Sequence, residues 1–253
     1  MKSYSGFAEY YDLFMEDIPY EKWCARITGI LRAHGIKDGL ILDLGCGTGN
    51  MTEILSDAGY DMIGVDASED MLAEAMEKRG ERNILYLHQD MRGFELYGTV
   101  RAVICIFDSI NYITEKEDLV QVFRLVNNYL DPDGLFIFDF NTPAEYAREE
   151  RISYTDECDG VYLIGRNDYE EESGINEHTV TFFVPEDDAG ETYSKFEETH
   201  VQRAYSIAEM KAALEEAGMK FVSVEDEQGS AADESTRRCL MMAKECGKAE
   251  DCR

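Results

Sequence analysis

A chain of 253 residues that is 44% hydrophobic and 30% charged is long enough to bury one substantial core. Its 53 acidic against 24 basic residues leave a formal charge of −29, which repels phosphate backbones and anionic bilayers and so excludes general nucleic-acid or membrane binding. What remains is a solubilising acidic coat, or attraction of cationic substrates. Seven cysteines, odd in number and without a C-x-x-C pair, and four widely separated histidines support neither a disulfide framework nor a metal site, so no metal is expected. The opening MKSYSGFAEYYDLF lacks the pattern of a signal peptide, and no apolar run reaches the ~20 residues that span a bilayer. The expected location is cytoplasmic.

Residues 18–34 set Ile18, Trp23, Ile27, Ile30 and Leu31 near helical spacing. GLILDL (39–44) reads as a buried strand running into Gly45-Cys46-Gly47-Thr48-Gly49, and Met51, Ile54, Leu55 and Ala58 follow on one helix face. YDMIGVD (60–66) is a second strand, after which Ser68 caps a helix carrying Met71, Leu72, Ala75 and Met76. ILYLHQD (84–90), VRAVICIFD (100–108) and GLFIFDF (134–140) bring the strands to five. The last follows a helix with Leu119, Val122, Phe123, Val126 and Leu130 and a turn at Asp131-Pro132-Asp133-Gly134. Strands alternating with helices predict a doubly wound parallel sheet with right-handed crossovers.

The pattern changes after residue 150. VYLIGRNDY, NEHTVTFFV and ETYSKFEETHVQRAY alternate with period two and read as antiparallel strands. Sixteen acidic and three basic residues between 149 and 198 turn this stretch toward water. Helical spacing returns at 206–217, opened by a capping box of Ser206 and Glu209, and FVSVED (221–226) and RCLMMAK (238–244) supply two closing strands. The expected organisation is a ligand-binding α/β core with an N-terminal helical cap over 1–150. An antiparallel β insertion serving as lid or dimer surface follows over 151–205, closing elements over 206–245, and a frayed tail over 246–253.

The glycine-rich loop reads G-x-G-x-G, one position short of the dinucleotide fingerprint, and carries Asp43 two residues before its first glycine. Such a loop brings backbone close to a ligand and aims helix N–H groups at it. Asp66, 23 residues after Asp43, ends the second strand, where a carboxylate accepts from both hydroxyls of a ribose. Asp90 ends the third strand, placed for an adenine amino group, and Phe107 ends the fourth as an apolar wall. Three acidic strand ends suit a ligand with a positive centre and no phosphates, and disfavour a pyrophosphate. A nicotinamide-dependent oxidoreductase is the competitor this argues against. Glu177-His178, with no second histidine at helical spacing, reads as a strand-surface pair, and Asn111 lacks the Pro-Pro-aromatic sequel of amino-methylating nucleic-acid enzymes.

LDLGCGTGN, GVDAS, HQDM and CIFDSINYI together, in this order, resemble the class I S-adenosylmethionine-dependent methyltransferases. The resemblance implies a Rossmann-like, seven-stranded, mostly parallel sheet carrying the inserted antiparallel module. It implies that Asp43, Gly45, Gly47 and Gly49 hold the methionine part of S-adenosyl-L-methionine, that Asp66 holds the ribose with Ala67 beside the adenine, and that Asp90 and Met91 meet the adenine edge. Within the family, the start of the chain and FDSINY are similar to the sugar-amine N,N-dimethyltransferases. That likeness implies that Tyr11 covers the cofactor while Tyr4 and Tyr112 face and orient the substrate. Asp108 stands where that branch often has Ser. The expected activity is in-line methyl transfer to a small molecule, an amine, with a homodimer through the β insertion as a compatible assembly. The alternatives are a non-catalytic S-adenosylmethionine-binding regulator and a tRNA or protein methyltransferase.

Overall fold

The computed structural model describes residues 7–15, 18–149, 153–187 and 192–248. Helices α1 (Phe7–Phe14) and α2 (Tyr20–Ala33) lead into β1 (Leu40–Leu44), α3 (Asn50–Asp57), β2 (Asp61–Asp66), α4 (Glu69–Lys78) and β3 (Ile84–His88). After β4 (Val100–Cys105) come a 3-10 turn (Ser109–Tyr112), α5 (Lys116–Tyr129), β5 (Leu130–Asn141) and α6 (Pro143–Glu149). Four strands follow, β6 (Ser153–Cys158), β7 (Val161–Glu170), β8 (Ile175–Pro185) and β9 (Tyr193–Arg203), then α7 (Ile207–Glu216), β10 (Lys220–Glu225) and β11 (Arg238–Lys244).

The main sheet has seven strands in the order β10-β11-β5-β4-β1-β2-β3; β1 to β5 pair in parallel, and β11 pairs antiparallel with both β5 and β10. Its strands are apolar on both faces because both are covered. In β5, Phe136, Phe138 and Phe140 pack with α5 and α7, while Leu135 and Ile137 belong to the opposite core with α2, α3 and α4. Phe138 lies 4.6 Å from Phe136 and 5.3 Å from Phe123, ring centre to ring centre, and is wholly buried. The strand order reverses at β1, between β4 and β2, and in open α/β sheets the carboxyl ends of the strands at such a point form the binding crevice. Among the described residues no helix is long and apolar enough to cross a membrane.

The second sheet is the antiparallel meander β6-β7-β8-β9. Its inner face packs Val161, Leu163, Val180 and Phe182 against Tyr10, Leu13 and Phe14 of α1, and the same helix meets α4 and the β1–α3 loop on its other side. Ser206 caps α7 with the reciprocal Glu209 bond that the S-x-x-E spacing predicts.

Several local readings change. β6 has no period-two signature, since five of its six residues are exposed and one is half-buried, and it is held by pairing with β7. The fourth strand stops at Cys105, because Phe107 and Asp108 both turn left-handed. The Asp131–Gly134 turn is a loop-out within β5: Leu130 pairs with Val100 but Leu135 already with Ala102. Met76 faces solvent. The tail is tied down as far as Lys248, whose Nζ donates to the Leu130 carbonyl at 2.5 Å at the end of α5; residues 249–253 lie outside the described residues.

Candidate functional site

The turn from β1 into α3 begins with the amides of Gly45 and Cys46 donating to the Val65 carbonyl at 2.7 and 3.0 Å, which docks the loop on the end of β2. Gly45 is left-handed (φ +80°), and a Cβ there would stand 2.7 Å from the Ser109 side chain, so only glycine fits. Asp66 ends β2 with one carboxylate oxygen accepting from the Gly47 amide and the other from the Ser68 amide, each at 2.8 Å. Burial pushes its carboxyl up while these two N–H groups pull it back. The Ala67 amide acts on it as well, and the carboxylate lines the cavity with lone-pair capacity left for a further donor. Asp43 is almost wholly buried beneath the loop, takes the Thr52 hydroxyl at 2.6 Å, and is pushed by burial up to about 7.

These groups open on a cavity of about 480 Å³, a size typical of small-molecule sites. Ten of the twelve expected site positions line it: Tyr11, Asp43, Gly45, Gly47, Asp66, Ala67, Asp90, Met91, Phe107 and Tyr112. Gly49 does not; it is the left-handed N-cap of α3, where a side chain would run into Tyr86. Tyr4 lies outside the described residues. Asp90 lies beyond the end of β3, and its carboxylate is already held by Arg92, with Nη2 at 2.5 Å and the Arg92 amide at 2.8 Å. The guanidinium keeps Asp90 below the usual carboxylate range.

Asp12 was not legible as more than a neighbour of Tyr11. Its carboxylate receives Thr48 Oγ1 at 2.7 Å, Asn50 Nδ2 at 2.9 Å and Lys78 Nζ at 2.5 Å, which pins α1 over the glycine-rich loop. Tyr11 and Met15 thereby roof the cavity.

The wall beyond β4 draws on the turn after β4 and on residues of β5, β9, β11 and α2. Asp108 accepts from Gln202 Nε2 at 2.7 Å and Arg238 Nη2 at 3.1 Å, and Arg238 Nε also donates to the fully buried Asp139. The Arg238 guanidinium lies 5.5 Å from the Trp23 ring centre and 5.8 Å from that of Phe107, a cation–π setting. Asn111 bonds the Asn141 and Arg203 carbonyls at 2.9 and 2.7 Å and so ties the 3-10 turn to both sheets; its role is structural. Tyr112 shares a hydrogen bond of 3.2 Å with His200 Nδ1.

His178 and His200 are direct cross-strand partners on β8 and β9, with ring centres 6.1 Å apart, and both line the cavity. This corrects the surface reading of Glu177-His178: only Glu177 faces water, and the second histidine comes from the next strand. The period-two pattern held the signal, since His178 shares its face with Val180 and Phe182. Burial lowers both rings, and His200, with His178 opposite, falls to about 4. Both are neutral at physiological pH.

A methyltransferase-domain family matches residues 41–134. A Bacillus subtilis protein named as a methyltransferase, YqeM, is 34% identical over 227 residues, covering 86% of this chain and 87% of its own. A Streptomyces fradiae enzyme, dTDP-3-amino-3,6-dideoxy-alpha-D-glucopyranose N,N-dimethyltransferase, is 28% identical over 85% of each chain. A solved S-adenosylmethionine-dependent methyltransferase from Clostridium acetobutylicum superposes with a TM-score of 0.84 at 28% identity, covering 96% of this chain and 99% of its own.

Proposed function

The chain belongs to the S-adenosylmethionine-dependent methyltransferases, and on that premise we propose that it methylates the nitrogen of a small-molecule amine. The observation that carries this reading is the order of groups along the carboxyl edge of the sheet. Asp90 and Asp66 stand at β3 and β2, the glycine-rich loop at β1, and an acidic wall enclosed by the second sheet lies beyond β4. The Streptomyces relative named for N,N-dimethylation of an amino sugar supports the amine.

The residues fit the cofactor. Asp66 would hold the ribose, Ala67, Asp90 and Met91 the adenine, and Asp43, Gly45 and Gly47 the methionine part, with Phe107 as wall and Tyr11 as roof. When bound, S-adenosylmethionine supplies a methyl group on a sulfonium, poised for in-line displacement. The chain's own contribution is alignment and exclusion of water, for which positioning allows about 7–11 kcal/mol. α1, latched by Asp12, and the second sheet together would close the site, so the β6–β9 sheet acts as a lid. Tyr112, hydrogen-bonded to the neutral His200, would orient the amine through its hydroxyl. An amine arrives protonated and reacts only as the neutral base, so turnover should rise with pH toward the amine's own pKa. The outward face of the same sheet exposes Tyr162, Ile164 and Tyr193, which suits a homodimer contact.

The test is turnover on a panel of small amines, nucleotide-linked amino sugars among them, read by mass spectrometry. Products carrying one or two added methyl groups on nitrogen are expected. Methylation confined to hydroxyl or carboxylate acceptors would overturn the amine assignment.

A further inference from the structure

The wall beyond β4 carries a charge that the ribose, adenine and methionine contacts leave unused. Phe107 (φ 62°) and Asp108 (φ 51°) are consecutive left-handed residues without being glycine, a costly backbone that turns Asp108 into the cavity lining. Asp108 is then fixed from two sides. Arg238 Nη2 donates to Oδ1 at 3.1 Å and Gln202 Nε2 to Oδ2 at 2.7 Å. The direction of the Gln202 amide is set in turn by the Tyr146 hydroxyl, which donates to its Oε1 at 3.1 Å.

Among the described residues, charge does not balance here. One guanidinium, Arg238, serves two carboxylates, Asp108 and the buried Asp139, leaving one negative charge in excess. The neighbouring imidazoles do not offset it, because burial keeps His178 and His200 neutral. Arg92, the other arginine lining the cavity, is engaged by Asp90. Each Asp108 oxygen still has a lone pair for a further donor. An excess charge in a sheltered cavity is costly unless a ligand completes it.

We propose that Asp108 is the counter-charge of the methyl acceptor, making the β4–β5–β11 end of the cavity an ammonium-binding subsite that selects cationic amines over carboxylic acids and neutral alcohols. This rests on the reading of the chain as an amine methyltransferase. Asp108 sets the charge of the acceptor, while Gln202 and Tyr146 hold it in place.

The test needs no knowledge of the natural acceptor. Sinefungin replaces the methyl-bearing sulfur with a carbon carrying a primary amine, and so presents an ammonium on the acceptor side. S-adenosylhomocysteine presents a neutral thioether. Calorimetry of both ligands on the wild type and on Asp108→Asn should show sinefungin weakened about 10- to 100-fold. S-adenosylhomocysteine should change by no more than about threefold. Equal losses for the two ligands, or no loss for either, would overturn the subsite. Failure of the wild type to bind either ligand would instead overturn the cofactor assignment, and the subsite with it.

If Asp108→Asn does not fold, Asp108→Gly removes the same carboxylate at a left-handed position (φ 51°) that glycine adopts without strain. It is read in the same way: sinefungin weakened about 10-fold or more, with S-adenosylhomocysteine within about threefold, is expected. Equal losses for the two ligands, or no loss for either, would overturn the proposal.

Discussion

Thr48 Oγ1 donates to Asp12 Oδ1 at 2.7 Å, so the first helix is tied directly to the glycine-rich loop it covers. Lys78 and Asn50 complete the tie from α4 and α3. Asp12 is about a third exposed, which tempers the strength of its ion pair with Lys78. Asp12→Ala should lower S-adenosylhomocysteine affinity about 5- to 30-fold, an effect of about 1–2 kcal/mol, mainly through faster dissociation. Stopped-flow dissociation checks this; an unchanged off-rate would show that the roof does not depend on the latch.

Asp43 makes the ligand-free fold sensitive to pH. Its carboxyl is raised from 3.8 to about 7 by burial, so between those values the folded state binds more protons than the unfolded state. Stability from this group is therefore full below about pH 4 and is lost as pH rises toward 7, with an upper bound of about 4 kcal/mol. Asp43→Asn should flatten that slope and raise the melting temperature most at pH 8, while weakening cofactor binding. Melting curves at pH 5.5 and 8 decide it.

His200 carries the opposite sign. Its folded value is depressed from 6.5 to about 4, so the unfolded state takes up the proton first, and stability is lost as pH falls through that window. NMR of the ring carbons should find His200 neutral at pH 5.5. A midpoint near 6.5 would contradict the buried, paired placement.

Tyr112→Phe removes the hydroxyl that meets His200 while keeping the ring. Turnover on an accepted amine should fall about 10-fold or more, with cofactor affinity unchanged within about twofold. Loss of cofactor affinity instead would move Tyr112 to the other side of the site.

The parts of this site that follow from local rules were legible in the residues. Asp66 ends a strand and the capping box sits at Ser206, both read from spacing alone. The glycine-rich loop was read from its position between a strand and a helix, and G-x-G-x-G distinguished it from the dinucleotide form. What was not legible depends on long-range pairing. Arg238 meets Asp108 across 130 positions of sequence, and His178 meets His200 only because the β8–β9 register aligns them. On sequence alone His178 reads as a strand-surface residue; the period-two pattern sets it on the face of Val180 and Phe182, but nothing local says that this face lines a cavity. Gly49 shows the converse: a glycine in a binding motif also serves the turn, here as the left-handed N-cap of α3.

Methyl transfer from S-adenosylmethionine to a small amine is tested by offering methyl-labelled S-adenosylmethionine to the enzyme in the presence of total tRNA, rRNA, protein extract and a small-metabolite pool. Asp66→Ala serves as the control, with cofactor affinity expected to fall about 10- to 150-fold, from the loss of about 1.5–3 kcal/mol, in a folded protein. Label is expected in the amine-containing small-molecule fraction and should be lost with Asp66→Ala. Label in RNA or protein, with none in small molecules, would contradict it.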